Sequence, residues 1–221
     1  MAYLLVHSPL TGPACWDGVR VALTQRGYQA QVAVFPPLTD PVTVAQAIAD
    51  QAGSGTVVVL HSGAGSLAPA IADLSDGRVI AAAFVDAVLP HPGRSWFDTA
   101  SAGLGQRLRD LVIDGCVPSW DQWFGEGAMA QLLPDPAQRE AFERELTSTP
   151  VSWLEGPAPD IDFGLEPASA FLRLSKIYED EAAEARHRGW PTLRLDLGHL
   201  ALMTHPAEVV RSLIEVTKRF R

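Results

Sequence analysis

The sequence of 221 residues contains few of the features that assign a protein directly to a structural class. Its two cysteines, Cys15 and Cys116, are too few for a disulfide framework, so we expect a reducing, cytoplasmic setting. No stretch reaches the roughly 18 apolar residues that a membrane-spanning helix needs. A strand pattern follows Met1 directly, without a basic leader, and we therefore expect neither membrane insertion nor a targeting segment.

Positively charged residues are also scarce: Lys and Arg total 17 against 26 Asp and Glu, which gives a formal net charge of −9. Nucleic acids and anionic membranes bind basic faces of proteins, so we expect neither as a partner. The sequence has no CxxC, HExxH, GKS or GKT pattern, and the glycines after Leu60 do not form the dinucleotide fingerprint. We therefore expect no metal and no cofactor, and a small-molecule substrate as partner.

What the chain does contain is an ordinary folded composition, with 47% hydrophobic and 19% charged residues. Short apolar runs alternate with helical patterns, which is typical of parallel strands joined by crossover helices. Strands are predicted at 3–6, 30–35, 56–60, 79–85, 170–174 and 191–195. Helices are predicted at 16–25, from 39 or 40 to 52, and at 64–74, 179–187 and 206–218. The pattern predicts an α/β fold: a mostly parallel sheet of about six strands with helices on both faces.

The alternation stops in residues 90–167, where no helical pattern is followed by a clear strand. This segment contains many of the prolines and four of the six tryptophans, Trp96, Trp120, Trp123 and Trp153. We predict a helical lid, called the lid segment below, inserted between two parts of a core, 1–89 and 168–221. Such a lid would cover the carboxyl ends of the strands, where α/β sheets bind ligands. The alternative is a peripheral helical layer whose tryptophans are simply core.

The most informative stretch is 56–67, in which β-branched residues lead directly into His-Ser-Gly-Ala-Gly and then a helical pattern. This order predicts a buried strand, a sharp turn with Ser62 at its apex, and a helix. Such a turn lifts the serine hydroxyl clear of the sheet and points the following N–H groups at whatever the hydroxyl attacks. The alternative is a serine that only caps the helix.

Three segments, 5–16, 60–65 and 198–206, together resemble the α/β-hydrolase superfamily. The match is closest to small bacterial members of actinobacterial type, with a helical lid and a chain that begins at the sheet's third strand. The first segment is also similar to the corresponding loop of plant hydroxynitrile lyases and esterases. The resemblance implies an α/β-hydrolase fold and an enzyme, with Ser62 as nucleophile and His199 as base. One departure is Leu60, where the family prefers a small residue.

His199 precedes the last predicted helix, where an imidazole could take the serine proton and return it to a leaving group. The other histidines are weaker candidates for the base. We expect His7 and His61 to brace their turns, His91 and His187 to lie at the surface, and His205 to begin the last helix.

The acid that would orient His199 is less clearly marked. The family usually places it after the strand at 170–174, but 175–178 here reads Ser-Lys-Ile-Tyr. Glu179 and Asp180 follow in a helix's first turn, where acids favour the helix dipole. We favour Asp86, at the end of the strand after the nucleophile, which would fix the His199 tautomer. The alternative is a structural Asp86 that ties down the loop at Pro90.

The oxyanion hole should combine the N–H of Gly63 with an N–H from the loop after the first strand. That second position falls on Pro9, which has no N–H to donate. Leu10 is our candidate to replace it, with the Ser8 hydroxyl as the other option. Predicted pocket residues are Ser8, Pro9, His61, Trp123 and Tyr178.

The leading functional hypothesis is a serine hydrolase that acts on a small or medium apolar ester through an acyl-serine intermediate. The second is a non-hydrolytic enzyme of the same fold, a lyase, cyclase or eliminating enzyme of specialised metabolism. The third is a ligand receptor with an idle site. The sequence leaves the substrate and the oligomeric state open.

Overall fold

Strands and helices alternate along the chain in the computed structural model, which describes residues 1–100, 102–165 and 168–220. The strands are β1 Ala2–Val6, β2 Gln29–Val32, β3 Thr56–Ser62, β4 Val79–Ala87, β5 Cys116–Val117, β6 Thr149–Pro150, β7 Ser169–Arg173 and β8 Thr192–Arg194. The α-helices are α1 Asp17–Thr24, α2 Pro41–Ala49, α3 Ala68–Leu74, α4 Trp96–Thr99, α5 Ala102–Asp110, α6 Ala128–Leu132, α7 Pro136–Glu143, α8 Val151–Glu155, α9 Glu179–His187, α10 Ala201–Thr204 and α11 Pro206–Thr217. Turns of 3₁₀-helix lie at Pro13–Trp16, Gly63–Leu67, Trp120–Trp123, Lys176–Tyr178 and Lys218–Phe220.

Six strands form one sheet in the order β2-β1-β3-β4-β7-β8, and every neighbouring pair in it is parallel. Parallel neighbours need crossover connections, which the helices between the strands provide. The predicted α/β class and the number of strands are therefore confirmed.

Alternate side chains of the central strand separate the core into two layers. Val58 and Leu60 of β3 belong to the cluster that includes residues of α2, α3 and α9. Val57 and Val59 belong to the opposite cluster, with residues of α1 and α11. Because both faces of the strand are covered, its sequence is a continuous apolar run rather than an alternating one.

Several strand ends differ from the prediction by one to three residues, among them those of β2 and β4. β2 ends at Val32 rather than at residue 35, because the backbone N–H and carbonyl of Val34 bond to the side chain of Gln51, at 2.9 and 2.8 Å, and not to β1. β4 continues to Ala87, beyond the predicted end at residue 85, so that Asp86 lies inside a strand.

The lid segment contains α4 to α8 and a short antiparallel ribbon of β5 and β6. The expectation that no strand follows its helices was wrong, since β6 follows α7. Trp123 and Trp153 are buried in the same cluster as α2 and α3, as the alternative of a packed helical layer expects. A lid function stays a prediction. The segment's predicted boundary at residue 167 falls outside the described residues, as do Ser101, Glu166 and Arg221.

In the described ranges, no helix combines the length and the apolar character needed to cross a bilayer. Cys15 is buried, Cys116 is half-buried, and both are free thiols.

The sharpest steric constraint in the fold lies just beyond the Ser62 turn. A Cβ on Gly65 would lie 1.9 Å from the carbonyl oxygen of Val88. That backbone is held in place, since the Val88 N–H donates to the Ser62 carbonyl at 3.1 Å. Gly65→Ala should therefore lower the free energy of unfolding by about 3 kcal/mol in chemical denaturation.

Gly53→Ala is the matched control for this change. Gly53 is exposed, and a Cβ added to it would have no atom within 4 Å. Its unfolding free energy should stay within about 0.5 kcal/mol of wild type. Equal stabilities for the Gly53 and Gly65 variants would contradict the predicted clash.

Candidate active site

Ser62 ends β3 in a backbone conformation that side chains rarely adopt, with φ 56° and ψ −127°. A left-handed non-glycine residue costs about 1–3 kcal/mol and persists only where the surrounding structure fixes it. A 3₁₀ turn, Gly63–Leu67, follows at once and leads into α3. The strand, sharp turn and helix are as the sequence predicts, and the fully buried Leu60 does not prevent the turn.

Asp86 is placed by a bulge in the neighbouring strand. The register pairs His61 with Val85 and Ser62 with Ala87, which leaves Asp86 as the extra residue of β4. Its φ is 46°, also in the left-handed region. A bulge redirects a side chain at the rim of a sheet. Here it aims the carboxylate at the segment that follows β7.

The buried Asp86 carboxylate accepts four hydrogen bonds. Oδ1 accepts from the amides of Leu174 at 2.7 Å and Ser175 at 2.9 Å. Oδ2 accepts from the Ser175 hydroxyl at 2.6 Å and from Nδ1 of His199 at 2.8 Å. Because an ionised carboxylate only accepts, the proton of this last bond lies on Nδ1. A neutral His199 therefore keeps its Nε2 lone pair available to accept a proton.

The other candidate acids lie elsewhere. Glu179 is exposed and pairs with Arg173 at 2.9 Å and Arg194 at 2.8 Å. Asp180 is exposed as well. The structure thus brings Asp86 to His199, and Ser175, at the usual acid position of the family, holds Asp86 in place. The bonds of Asp86 run to residues 174 and 175 and not to the loop at Pro90.

The His199 imidazole lies among aromatic side chains. Its ring stacks on His61, with centroids 4.5 Å apart, and on Tyr178, with centroids 5.3 Å apart and planes 15° apart. Trp120 is 6.3 Å away. The imidazole is therefore confined by packing as well as by its bond to Asp86.

Tyr178 joins the two parts of the site. Its phenol oxygen is 3.2 Å from Oγ of Ser62, and its ring covers His199. Within the described residues, the Ser62 hydroxyl bonds to this phenol and not to His199. Burial raises the pKa of the Tyr178 phenol, and the hydrogen bond with Ser62 lowers it by less, so the phenol stays protonated at neutral pH.

The loop after β1 reaches the other side of Ser62. A Cβ on Gly63 would lie 3.5 Å from Oγ of Ser8 and 3.6 Å from Cδ of Pro9. The Leu10 amide, predicted as the second oxyanion donor, already donates to Oγ of Ser8 at 3.2 Å. Ser8 is buried, and this bond uses its oxygen as an acceptor while leaving its proton free to donate.

A cavity of about 30 Å³ adjoins Gly63 and has Pro9, Leu10, Trp96 and Trp153 in its wall. Small-molecule pockets usually enclose roughly 300 Å³ or more. This cavity is therefore smaller than a typical ligand pocket. The polar side chains of Ser66 and His91 also line it.

Two residues near this cavity differ from the sequence predictions. His91 is half-buried and lines the cavity, so its assignment to the surface was wrong. Trp123, predicted to line the pocket, packs one layer further out against Trp96, with centroids 6.0 Å apart. The sequence analysis did not single out Trp120 or Trp153 for the site, because tryptophan spacing alone does not show which ring faces it.

His61 is fully buried beneath His199. Its Nε2 donates to the His199 carbonyl at 3.2 Å, and its Nδ1 has no partner. Burial, and then the nearby charge of His199, hold the pKa of His61 well below its usual range. Burial also lowers the pKa of His7, which stacks on Phe35. Both rings are therefore neutral braces, as their predicted structural role requires.

Metal binding finds no support in the part of the chain that the structure describes. There, no three His, Cys, Asp or Glu side chains form a group that could hold an ion.

The buried histidines make stability depend on pH. An unfolded histidine binds its proton near pH 6.5, whereas folded His61 and His7 resist protonation to lower pH. The unfolded state then binds more protons, so the unfolding free energy falls as pH drops below about 6.5. Urea unfolding between pH 7.5 and 5 should show a shallower fall in His61→Gln than in wild type.

The exposed His187 provides the control for this prediction. His187→Gln should keep the wild-type pH dependence. A His61→Gln variant with the wild-type slope would show that His61 does not contribute.

No family model and no curated protein matches the chain. Among solved structures, it is similar to an extracellular α/β-hydrolase from a Paenibacillus species (TM-score 0.78, 15% identity, 98% of each chain covered). It is similar to a pyrethroid hydrolase from Sphingobium faniae (TM-score 0.75, 15% identity, 99% of this chain and 97% of that one). It is also similar to methylketone synthase I of tomato (TM-score 0.71, 12% identity, 100% of this chain and 99% of that one). With the parallel sheet and the turn at Ser62, these similarities show that the chain has the α/β-hydrolase fold predicted from its motifs.

Proposed function

We propose that this protein is a serine hydrolase of small or medium apolar esters. The observation that carries the proposal is the 2.8 Å bond between Asp86 and His199, next to a serine held at a left-handed turn. That bond leaves Nε2 of a neutral His199 ready to accept a proton. A buried carboxylate that orients such an imidazole is the arrangement that activates a serine.

The reaction would proceed in two balanced halves. Oγ of Ser62 attacks the ester carbonyl while its proton passes to Nε2 of His199. The tetrahedral oxyanion collapses, His199 gives the proton to the departing alcohol, and an acyl-serine remains. Water then attacks the acyl-serine with His199 as base, which releases the acid and restores Ser62.

Two further points support this reaction class. The cavity beside Gly63, with Leu10, Trp96 and Trp153 in its wall, offers a place for an acyl group. The Paenibacillus and Sphingobium proteins of the same fold are both named as hydrolases.

A non-hydrolytic reaction is the second candidate, and two observations favour it. Ser62 bonds to Tyr178 instead of His199, and Pro9 supplies no oxyanion N–H. In that case His199 would act on a proton of the substrate, with Ser62 as a relay. One protein of the same fold is named a methylketone synthase.

Acid release from methyl and p-nitrophenyl acetate and butyrate tests the proposal. Wild type should hydrolyse at least one of these esters, and Ser62→Ala should lose at least about 10³-fold in rate because it removes the attacking oxygen. A fluorophosphonate probe should label wild type and not Ser62→Ala. Ser152→Ala, on the exposed side of α8, should match wild type in both assays.

The outcomes separate the two candidates. Equal activity of wild type and Ser62→Ala would reject the serine hydrolase. Absence of labelling together with turnover that depends on His199 would favour the non-hydrolytic enzyme.

The second oxyanion donor in this proposal is the hydroxyl of Ser8. It lies beside Gly63, and its proton is free because the Leu10 amide occupies only its acceptor side. Ser8→Ala should lower kcat about a hundredfold with little change in KM, since the bond forms in the transition state.

Ser8→Thr keeps the hydroxyl and should retain most of the activity. Steady-state kinetics on the better ester, with thermal unfolding to check the fold, measure both variants. A folded Ser8→Ala variant with wild-type kcat would remove Ser8 from the oxyanion hole.

A further inference from the structure

Tyr178 contacts both the candidate nucleophile and the candidate base. Its phenol oxygen bonds Oγ of Ser62 at 3.2 Å, and its ring is stacked on His199. It comes from the 3₁₀ turn Lys176–Tyr178 between β7 and α9. The preceding Ile177 is 79% exposed, so the turn lies at the surface while Tyr178 reaches inward.

The residues around Ser62 indicate where each part of a bound ester would lie. Gly63 and Ser8 lie on the side that would hold the oxyanion, and the cavity with Trp96 and Trp153 in its wall adjoins Gly63. The alcohol must leave on the remaining side, against His199, because His199 returns the proton to its oxygen. The Tyr178 ring occupies space on that side.

We infer that Tyr178 determines which leaving groups the site accepts, and that the natural substrates are esters of an apolar acid with a small alcohol. The inference rests on the proposed hydrolase. A methanol-sized alcohol needs little room beside the stacked Tyr178 and His199 rings, whereas a branched or aromatic alcohol collides with the Tyr178 ring. The specificity comes from the volume of the ring, and the phenol oxygen anchors the ring through Ser62.

The ring is held where it would have this effect. It packs between His199 and the apolar cluster on the α9 face of the sheet. Stacking and the bond to Ser62 restrain it independently, so loss of the hydroxyl alone should leave the ring in place. An experiment can therefore test the effect of the ring's size separately from the effect of its hydrogen bond.

The test compares methyl, propyl and benzyl butyrate, which share one acyl group and differ only in the alcohol. Wild type should prefer the methyl ester. Tyr178→Ala should shift the ratio of kcat/KM for benzyl over methyl ester upward by about tenfold or more, the scale of steric discrimination in apolar pockets. Tyr178→Phe should keep a ratio close to wild type.

A control variant tests whether the effect of Tyr178 is limited to the alcohol part of the ester. Trp153→Ala, in the cavity wall, should change the preference between methyl acetate and methyl butyrate but not the benzyl-to-methyl ratio. If Tyr178→Ala does not fold, Tyr178→Leu keeps apolar packing without the planar ring and should show the same direction of change.

A benzyl-to-methyl ratio unchanged in Tyr178→Ala or Tyr178→Leu, with activity still lost in Ser62→Ala, would overturn this inference and leave the hydrolase standing. Hydrolysis that does not depend on Ser62 would overturn the proposed function, and this inference with it.

Discussion

The structure of the site depends on a single buried carboxylate, that of Asp86. Taking an ionised carboxylate out of water is costly unless donors replace the lost hydration. The Leu174 N–H donates to Asp86, and the Leu174 carbonyl accepts from the amides of Leu197 and Gly198. One residue at the end of β7 therefore holds both the acid and the loop that carries His199. The distance between acid and base is fixed mainly by backbone, which has little freedom to drift.

Two strained backbones lie side by side at this site. Ser62 has φ 56° and Asp86 has φ 46°, on neighbouring strands at the point where the register shifts. Left-handed non-glycine residues cluster where the surrounding structure compensates for them. Here the bulge at Asp86 allows its side chain to turn toward Leu174, and the Val88 amide donates a hydrogen bond to the Ser62 carbonyl. The turn at Ser62 and the bulge at Asp86 therefore belong to one local arrangement.

Sequence patterns predicted the sheet and the turn at Ser62, because these follow from local periodicity and turn chemistry, and the α/β-hydrolase resemblance favoured Asp86 over Glu179 and Asp180 as the acid. They did not predict that Tyr178 would reach Ser62, since that contact depends on how the turn after β7 packs over β3. They also favoured Trp123, whereas Trp120, three residues earlier in the same 3₁₀ turn, faces His199. The lid segment was hardest to predict because its helices are short and its ribbon has two residues a strand.

Two side-chain hydroxyls lie where the resemblance to α/β-hydrolases implies other groups, and we propose that the Ser8 hydroxyl acts there as an oxyanion donor. Ser8 lies beside Pro9, which has no N–H, and Ser175 stands where the family's acid usually lies and donates to Asp86 instead. A backbone N–H is already fixed by the chain, whereas a hydroxyl rotates and must be restrained to act as a donor. Ser8 is restrained by the Leu10 amide, and the phenol of Tyr178 by the stack on His199. Each hydroxyl near Ser62 therefore has a second contact that limits its rotation, and this is what preorganisation of such a site requires.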